Sequence, residues 1–390
     1  MNASISRYLS NFTLGAVTVL GFAPISWFWL PCLTLAFWFN SLRTATRREA
    51  FKLGFAFGFG LFGAGVSWVA ISLHDFGGMP LSLAIAATGL LCSYLALFPA
   101  LAAWLTAYAA PQSRWKYGPF LWVATEWWRS SLLGGFPWLG LGYTQVSASP
   151  LAGYAPVFGA FGVSLVTACV ASLLAQMMLL QWQPAAFKSH AFDNHFVQGA
   201  QRLRRRLWVL LLSMVLIGAG LSRGNWSYPL ELPFTVSLLQ GNIDQRQKWQ
   251  NPQENINVYL DLLLQTPKST LIVLPETALG MMLHEIPTEV RSLLRRVAQE
   301  QQGHLLFGSI VLRADGRYTN SVVGFGREIA QQYDKRQLVP FGEFIPWGFR
   351  WFVEQMQMPF SDFLAGETNQ TGFTLNRQAI AVNICFEEAF

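Results

Sequence analysis

Three residues far apart in the chain could do chemistry together: Glu276 in "TLIVLPE", Lys335 in "QQYDKRQLVPFGE" and Cys385 in "AVNICFEEAF". A thiol attacks as its thiolate, so it needs a base to take its proton or a cation to favour the anion. Glu276 could be the base. Lys335 could favour the thiolate and hold the oxyanion that forms when a carbonyl is attacked. The separations are 59 and 50 residues, so only a fold can bring the three together. Spacing alone leaves plainer roles open: an inert packed cysteine, a glutamate in a surface turn, a solvated lysine. The other cysteines, Cys32, Cys92 and Cys169, lie in long apolar runs and read as small buried hydrophobes. Cys385 remains as a free thiol that needs an explanation.

The elements expected to position these residues alternate in type. "FTVSLLQ" (234–240), "TLIVLPE" (270–276), "HLLFGSIVL" (304–312), "YTNSVVGF" (318–325) and "AIAVNICF" (379–386) read as strands. "ENINVYLDLLLQ" (254–265) and "EIPTEVRSLLRRVAQEQQ" (285–302) have helical spacing. Alternation of this kind predicts an α/β domain, in which binding crevices form at the C-terminal ends of strands. Glu276 and Cys385 end strand-like runs, and Lys335 sits in a similar segment. The stretch 336–378 is too long for an ordinary connection. Its aromatic content, "PFGEFIPWGFRWF" above all, suits contact with a membrane surface.

Composition places that domain on a membrane protein. Charged residues are only 12% of the chain and apolar ones 52%, the charged share being about half that of a soluble protein. Seven apolar runs precede residue 223, at 9–23, 26–41, 53–73, 81–109, 119–143, 151–181 and 207–222, each read as a span. Basic residues occupy every second loop: Arg43, Arg47, Arg48 and Lys52; Arg114 and Lys116; Lys188 and the cluster "RLRRR" (202–206). The alternate loops carry none, which puts the N-terminus inside and residues 224–390 outside the cytoplasm. The net charge of +6 therefore reads as orientation, and no nucleic-acid partner is expected. Within "TEWWRSS", Glu126 and Arg129 stand three apart on one helix face, as a structural pair or a functional one. No metal constellation or phosphate-loop motif is present in the sequence.

"LIVLPETA", "YDKRQLVPFGEFIP" and "NICFE" together resemble the three signature blocks of the nitrilase, or carbon–nitrogen hydrolase, superfamily, in the family's order. The resemblance implies a Glu–Lys–Cys triad on Glu276, Lys335 and Cys385. It implies supporting roles for Glu343, Phe386, where many relatives carry Tyr, and Glu387. The preceding spans, and "QGNIDQRQKW" with Trp249, narrow the resemblance to the membrane-anchored branch that acylates bacterial lipoproteins. Trp249 and Asn320 are expected to bind substrate.

The implied architecture is a membrane α-helical bundle (1–223) carrying a nitrilase-like αββα sandwich (224–390). In the family this domain continues past the cysteine to a further span, so the sandwich is expected to be incomplete at Phe390. The implied activity is N-acyl transfer, without a cofactor, from a phospholipid to the diacylglyceryl-cysteine of an apolipoprotein, by way of a Cys385 thioester, in a multi-pass protein of the bacterial inner membrane. A membrane-tethered amidase and a transporter with an accessory domain are the alternatives.

Overall fold

The structure, a computed structural model, describes residues 3–146, 148–182, 194–229, 233–300, 303–326, 331–340, 342–345, 362–375 and 378–389. They fall into two units, Met1–Tyr228 and Pro229–Phe390.

In the first unit, helices lie on the apolar runs: α1 Ala3–Thr18, α2 Leu30–Leu42, α3 Arg47–Gly65, α4 Trp68–Ile71, α5 Leu81–Thr106, α6 Arg114–Arg129, α7 Ala155–Trp182 and α8 Asn194–Leu221. Helix α3 starts at a capping box. Thr46 Oγ1 accepts from the Glu49 N–H, and Glu49 Oε2 accepts from the Thr46 N–H at 2.8 Å. Small residues let helices touch: a Cβ on Gly60 of α3 would stand 2.0 Å from Phe12 O of α1. Trp38, Phe57 and Trp122 pack edge-on and tilted in the core between α2, α3 and α6.

By length and hydropathy, two helical stretches qualify to cross a membrane, Leu81–Thr106 and Pro150–Leu180. A third qualifies if Arg47–Gly65 and Trp68–Phe76, bent by 48°, form one span. The expectation of seven spans is thus met for two or three among the described residues. Helix α2 has only 13 residues. The run 119–143 is not one helix: α6 stops at Arg129, Leu133, Gly134 and Gly135 take positive φ, and Pro137 follows. In α8 the arginine cluster occupies part of the helix itself.

Glu126 and Arg129 are buried, and the charge of Glu126 acts on Arg129, but each makes its hydrogen bonds elsewhere. Glu126 accepts from Ser164 Oγ (2.5 Å), the Leu141 N–H (3.0 Å) and Trp122 Nε1 (3.1 Å). Arg129 Nη1 donates to the carbonyls of Phe136 and Trp138, both at 2.6 Å. The carboxylate ties α6 to α7, and the guanidinium holds the non-helical stretch that follows α6.

The second unit is built on a five-stranded mixed sheet in sequential order: β1 Val236–Leu238, β2 Leu271–Val273, β3 His304–Leu312, β4 Tyr318–Phe325 and β5 Gln331–Asp334. β1–β2 and β2–β3 pair parallel, β3–β4 and β4–β5 antiparallel. Side-chain alternation divides two cores. Ile272, Leu305, Phe307 and Val323 face α9 (Pro252–Gln265) and α10 (Thr288–Glu300). Leu271, Leu306 and Val322 face the ribbon β6–β7 (Phe373–Leu375, Gln378–Ile380). The strand expected over 379–386 ends at Ile380, and Cys385 opens a 3-10 turn, Cys385–Ala389. Most of the aromatic stretch 341–359 lies outside the described residues.

Candidate functional site

Glu276 follows β2 across Leu274 and Pro275. The proline cannot extend a ladder. The chain turns there, with Thr277 at φ +46°. Gly308 of β3 lies against the turn: a Cβ there would stand 2.5 Å from Glu276 Cα. Lys335 directly follows β5. Its N–H donates to Asn320 O at 2.8 Å, and its carbonyl accepts from Gly366 N–H at 2.8 Å. Asn320 itself lies on β4, so the antiparallel register sets Lys335 beside it.

These elements bring four side chains into one network. Asn320 Nδ2 donates to Glu276 Oε1 (2.6 Å) and to Glu343 Oε1 (2.8 Å). Two carboxylate partners leave only this amide orientation. Lys335 Nζ stands 2.9 Å from both Glu343 oxygens and 4.0 Å from Glu276 Oε1. Lys335 is 1% exposed, whereas the Glu276 side chain is 35% exposed, so the carboxylate is the more open of the two. Glu343 is fixed in turn by the Val339 N–H on Oε2 at 2.8 Å. The tight pair of Lys335 is therefore Glu343, a residue the sequence reading ranked as supporting.

Cys385 has φ +51° and is exposed as a residue, with its sulfur partly buried against the site. Its thiol pKa is raised, first by burial of the sulfur and then by the charge of Glu276; Glu343 adds to the rise, and Lys335 opposes it. The Phe386 N–H, hydrogen-bonded at the sulfur, also favours the anion. The thiol accordingly rests protonated and needs a base before it can attack. Beneath it, Glu387 accepts from the Arg336 N–H (2.7 Å), Tyr333 Oη (2.9 Å), the Ile384 N–H (2.9 Å) and the Gln337 N–H (3.3 Å). Burial and this carboxylate push the Tyr333 hydroxyl up to about 12, which keeps it a donor. One buried carboxylate thus ties the turn of the thiol to the segment of Lys335.

The structure brings Glu276, Asn320, Lys335 and Glu343 together, with Cys385 in their field. Trp249 is exposed on a turn, and Phe386 is buried beside the thiol. Sequence reading missed Lys248, whose Nζ donates to the Glu276 carbonyl at 2.9 Å. Lys248 lies within the quoted block "QGNIDQRQKW", but the contact joins a turn to a strand end across 28 positions, which the spacing of residues does not show. Among the described residues no cluster of three or more His, Cys, Asp or Glu could hold a metal ion.

Comparison with known proteins covers both units. Residues 14–173 match the family "Apolipoprotein N-acyltransferase N-terminal domain", and residues 235–390 match "Carbon-nitrogen hydrolase". The mixed sheet with its helical face fits the nitrilase-like fold that this second match implies. An apolipoprotein N-acyltransferase of Nitrosomonas europaea is 41% identical, over 98% of this chain and 75% of that one. Those of Ralstonia nicotianae and Methylococcus capsulatus are 37% and 35% identical, over 97% and 98% of this chain and 70% and 73% of theirs. Among solved structures, a carbon-nitrogen hydrolase from Helicobacter pylori G27 overlaps 40% of this chain and 52% of that one at 20% identity, with a TM-score of 0.27. That likeness is too distant to specify the fold.

Proposed function

This chain belongs to the apolipoprotein N-acyltransferase family and is an acyltransferase, and from that premise we propose that it moves a fatty acyl group from a phospholipid to the amino group of a lipoprotein's N-terminal diacylglyceryl-cysteine. Glu276 takes the proton of Cys385. The sulfur attacks the ester carbonyl and a C–S bond forms. Lys335 and backbone N–H groups hold the tetrahedral oxyanion. The ester C–O bond breaks, Glu276 returns its proton to the leaving oxygen, and a lysophospholipid departs. The acceptor amine then attacks the thioester; Glu276 takes the amine proton, and the sulfur leaves as the restored thiol. A thioester is reactive enough to acylate an amine without nucleotide activation.

One observation supports this reading above others: a resting thiol with a raised pKa shares a site with a half-exposed carboxylate that can act as its base. In the same reading the helical unit crosses the bacterial inner membrane seven times, and residues 224–390 lie on its outer face. Both substrates are then membrane-held lipids, which accounts for a helical unit in the same chain.

The test is mass spectrometry of the purified chain after incubation with phospholipid vesicles. A fatty acyl mass on Cys385, discharged by a diacylglyceryl-cysteine peptide, is expected. A bare thiol beside hydrolysis of small amides would favour a tethered amidase instead.

A further inference from the structure

Lys248 sits in the turn that leads into α9, and its backbone is pinned at both its N–H and its carbonyl. Its N–H donates to Asp244 O at 3.0 Å. Its carbonyl accepts from Asn255 Nδ2 at 2.6 Å, and the same buried amide also donates to Leu279 O at 3.3 Å. Gly280, at φ +65°, makes the approach possible, since a Cβ there would stand 2.1 Å from Lys248 O. From this fixed base the half-buried side chain reaches the turn after β2, where Nζ donates to the Glu276 carbonyl at 2.9 Å. That carbonyl lies just past β2, between two backbone bonds to β3: the Gly308 N–H to Pro275 O (3.2 Å) and the Ala278 N–H to Gly308 O (3.3 Å). Burial draws the Lys248 ammonium down and the charge of Glu276 draws it up, so the cation acts on the carboxylate as well as on the peptide.

We propose that Lys248 is a positioning residue for Glu276: its ammonium fixes the Glu276 peptide and thereby aims the carboxylate at the thiol of Cys385. The inference rests on the reading of Glu276 as the base of acyl transfer. The buried Asn320 holds one carboxylate oxygen, and the half-buried Lys248 holds the main chain. With both in place the carboxylate has little freedom to swing away from the sulfur. An error of about 1 Å in such a placement costs roughly 100-fold in rate.

The experiment uses the purified full chain, labelled phospholipid in vesicles, and the variants Lys248→Met and Lys248→Arg. Two rates are read: acylation of Cys385, and its alkylation by iodoacetamide. The charges that act on the thiol are those of Glu276, Lys335 and Glu343, so alkylation does not require Lys248. Lys248→Met should slow acylation roughly 10- to 100-fold and should not slow alkylation, because a carboxylate that swings from the sulfur raises the thiol pKa less. Lys248→Arg, which keeps a donor and the charge, should recover most of the lost rate. Acylation at the unsubstituted rate in Lys248→Met would overturn the inference. So would an equal fall in both rates, or an arginine variant as slow as the methionine one. An unsubstituted chain that never acylates would instead sink the acyl-transfer reading, and this inference with it.

Discussion

At the residue scale, the electrostatics of Cys385 separate two properties that a simple reactive-cysteine picture would merge. The Glu276 charge raises the thiol pKa, so it depresses the thiolate fraction at neutral pH, while in the proposed reaction the same carboxylate is the base that attack requires. Replacement by Gln removes both effects. With the negative charge gone, the thiol pKa falls and more thiolate exists at any pH below it. Glu276→Gln should therefore shift the pH curve of iodoacetamide alkylation toward lower pH, and should slow phospholipid acylation by about 10²–10⁴-fold. Lys335→Met should do the opposite to alkylation, because Lys335 lowers the thiol pKa. If alkylation and acylation fall together in Glu276→Gln, the carboxylate is holding the site's shape and the assignment as base is wrong.

At the scale of elements, the site depends on turns more than on strands. Glu276 and Cys385 both lie beyond their strand ends, and Thr277 and Cys385 itself have positive φ. Such conformations persist when neighbours over-determine them. For the cysteine turn, that neighbour is Glu387, with four donors on one carboxylate. Hydrogen bonds to a charged group contribute about 1.5–3 kcal/mol each, and unpaired buried donors add their own cost. Glu387→Ala should lower unfolding stability of residues 229–390 by about 3 kcal/mol and abolish acylation. Glu387→Gln, which keeps acceptors and loses only charge, should cost about 1 kcal/mol. Thermal melts in detergent beside acylation rates check this; equal melts for all three chains would remove Glu387 from the scaffold.

At the scale of the whole molecule, the arrangement of basic loops predicts which side of the membrane carries the site. A labelling position must avoid Gly316, whose φ of +81° disfavours any side chain. Ala314, exposed in the same hairpin between β3 and β4, suits better. In a Cys385→Ala background, Ala314→Cys should react with an impermeant maleimide in intact spheroplasts. Reaction only after lysis would reverse the orientation drawn from the arginines.

Much of this protein was legible in the order of its residues. Apolar runs marked where helices lie, because burial of apolar side chains is local information repeated along the chain. Strands β3 and β4 came out with the same bounds as their patterns, since two cores read alternate residues of each. The side chains of the proposed site could be nominated from sequence, because only certain side chains can act as base, cation or nucleophile. Helix ends were less so: α6 stops at Arg129 because Gly134, Gly135 and Pro137 follow a polar pair of serines, and a sliding view of hydrophobicity passes over them. Strand β5 is short and polar and β6 has only three residues, and each is defined by its antiparallel partner rather than by a pattern of its own. The pairing of Lys335 with Glu343, the bridge of Asn320 between two carboxylates, and the grip of Lys248 on the Glu276 carbonyl were decided by tertiary structure alone. Each joins segments whose meeting is fixed by sheet register and turn conformation, and neither quantity is written in the spacing of the residues that meet.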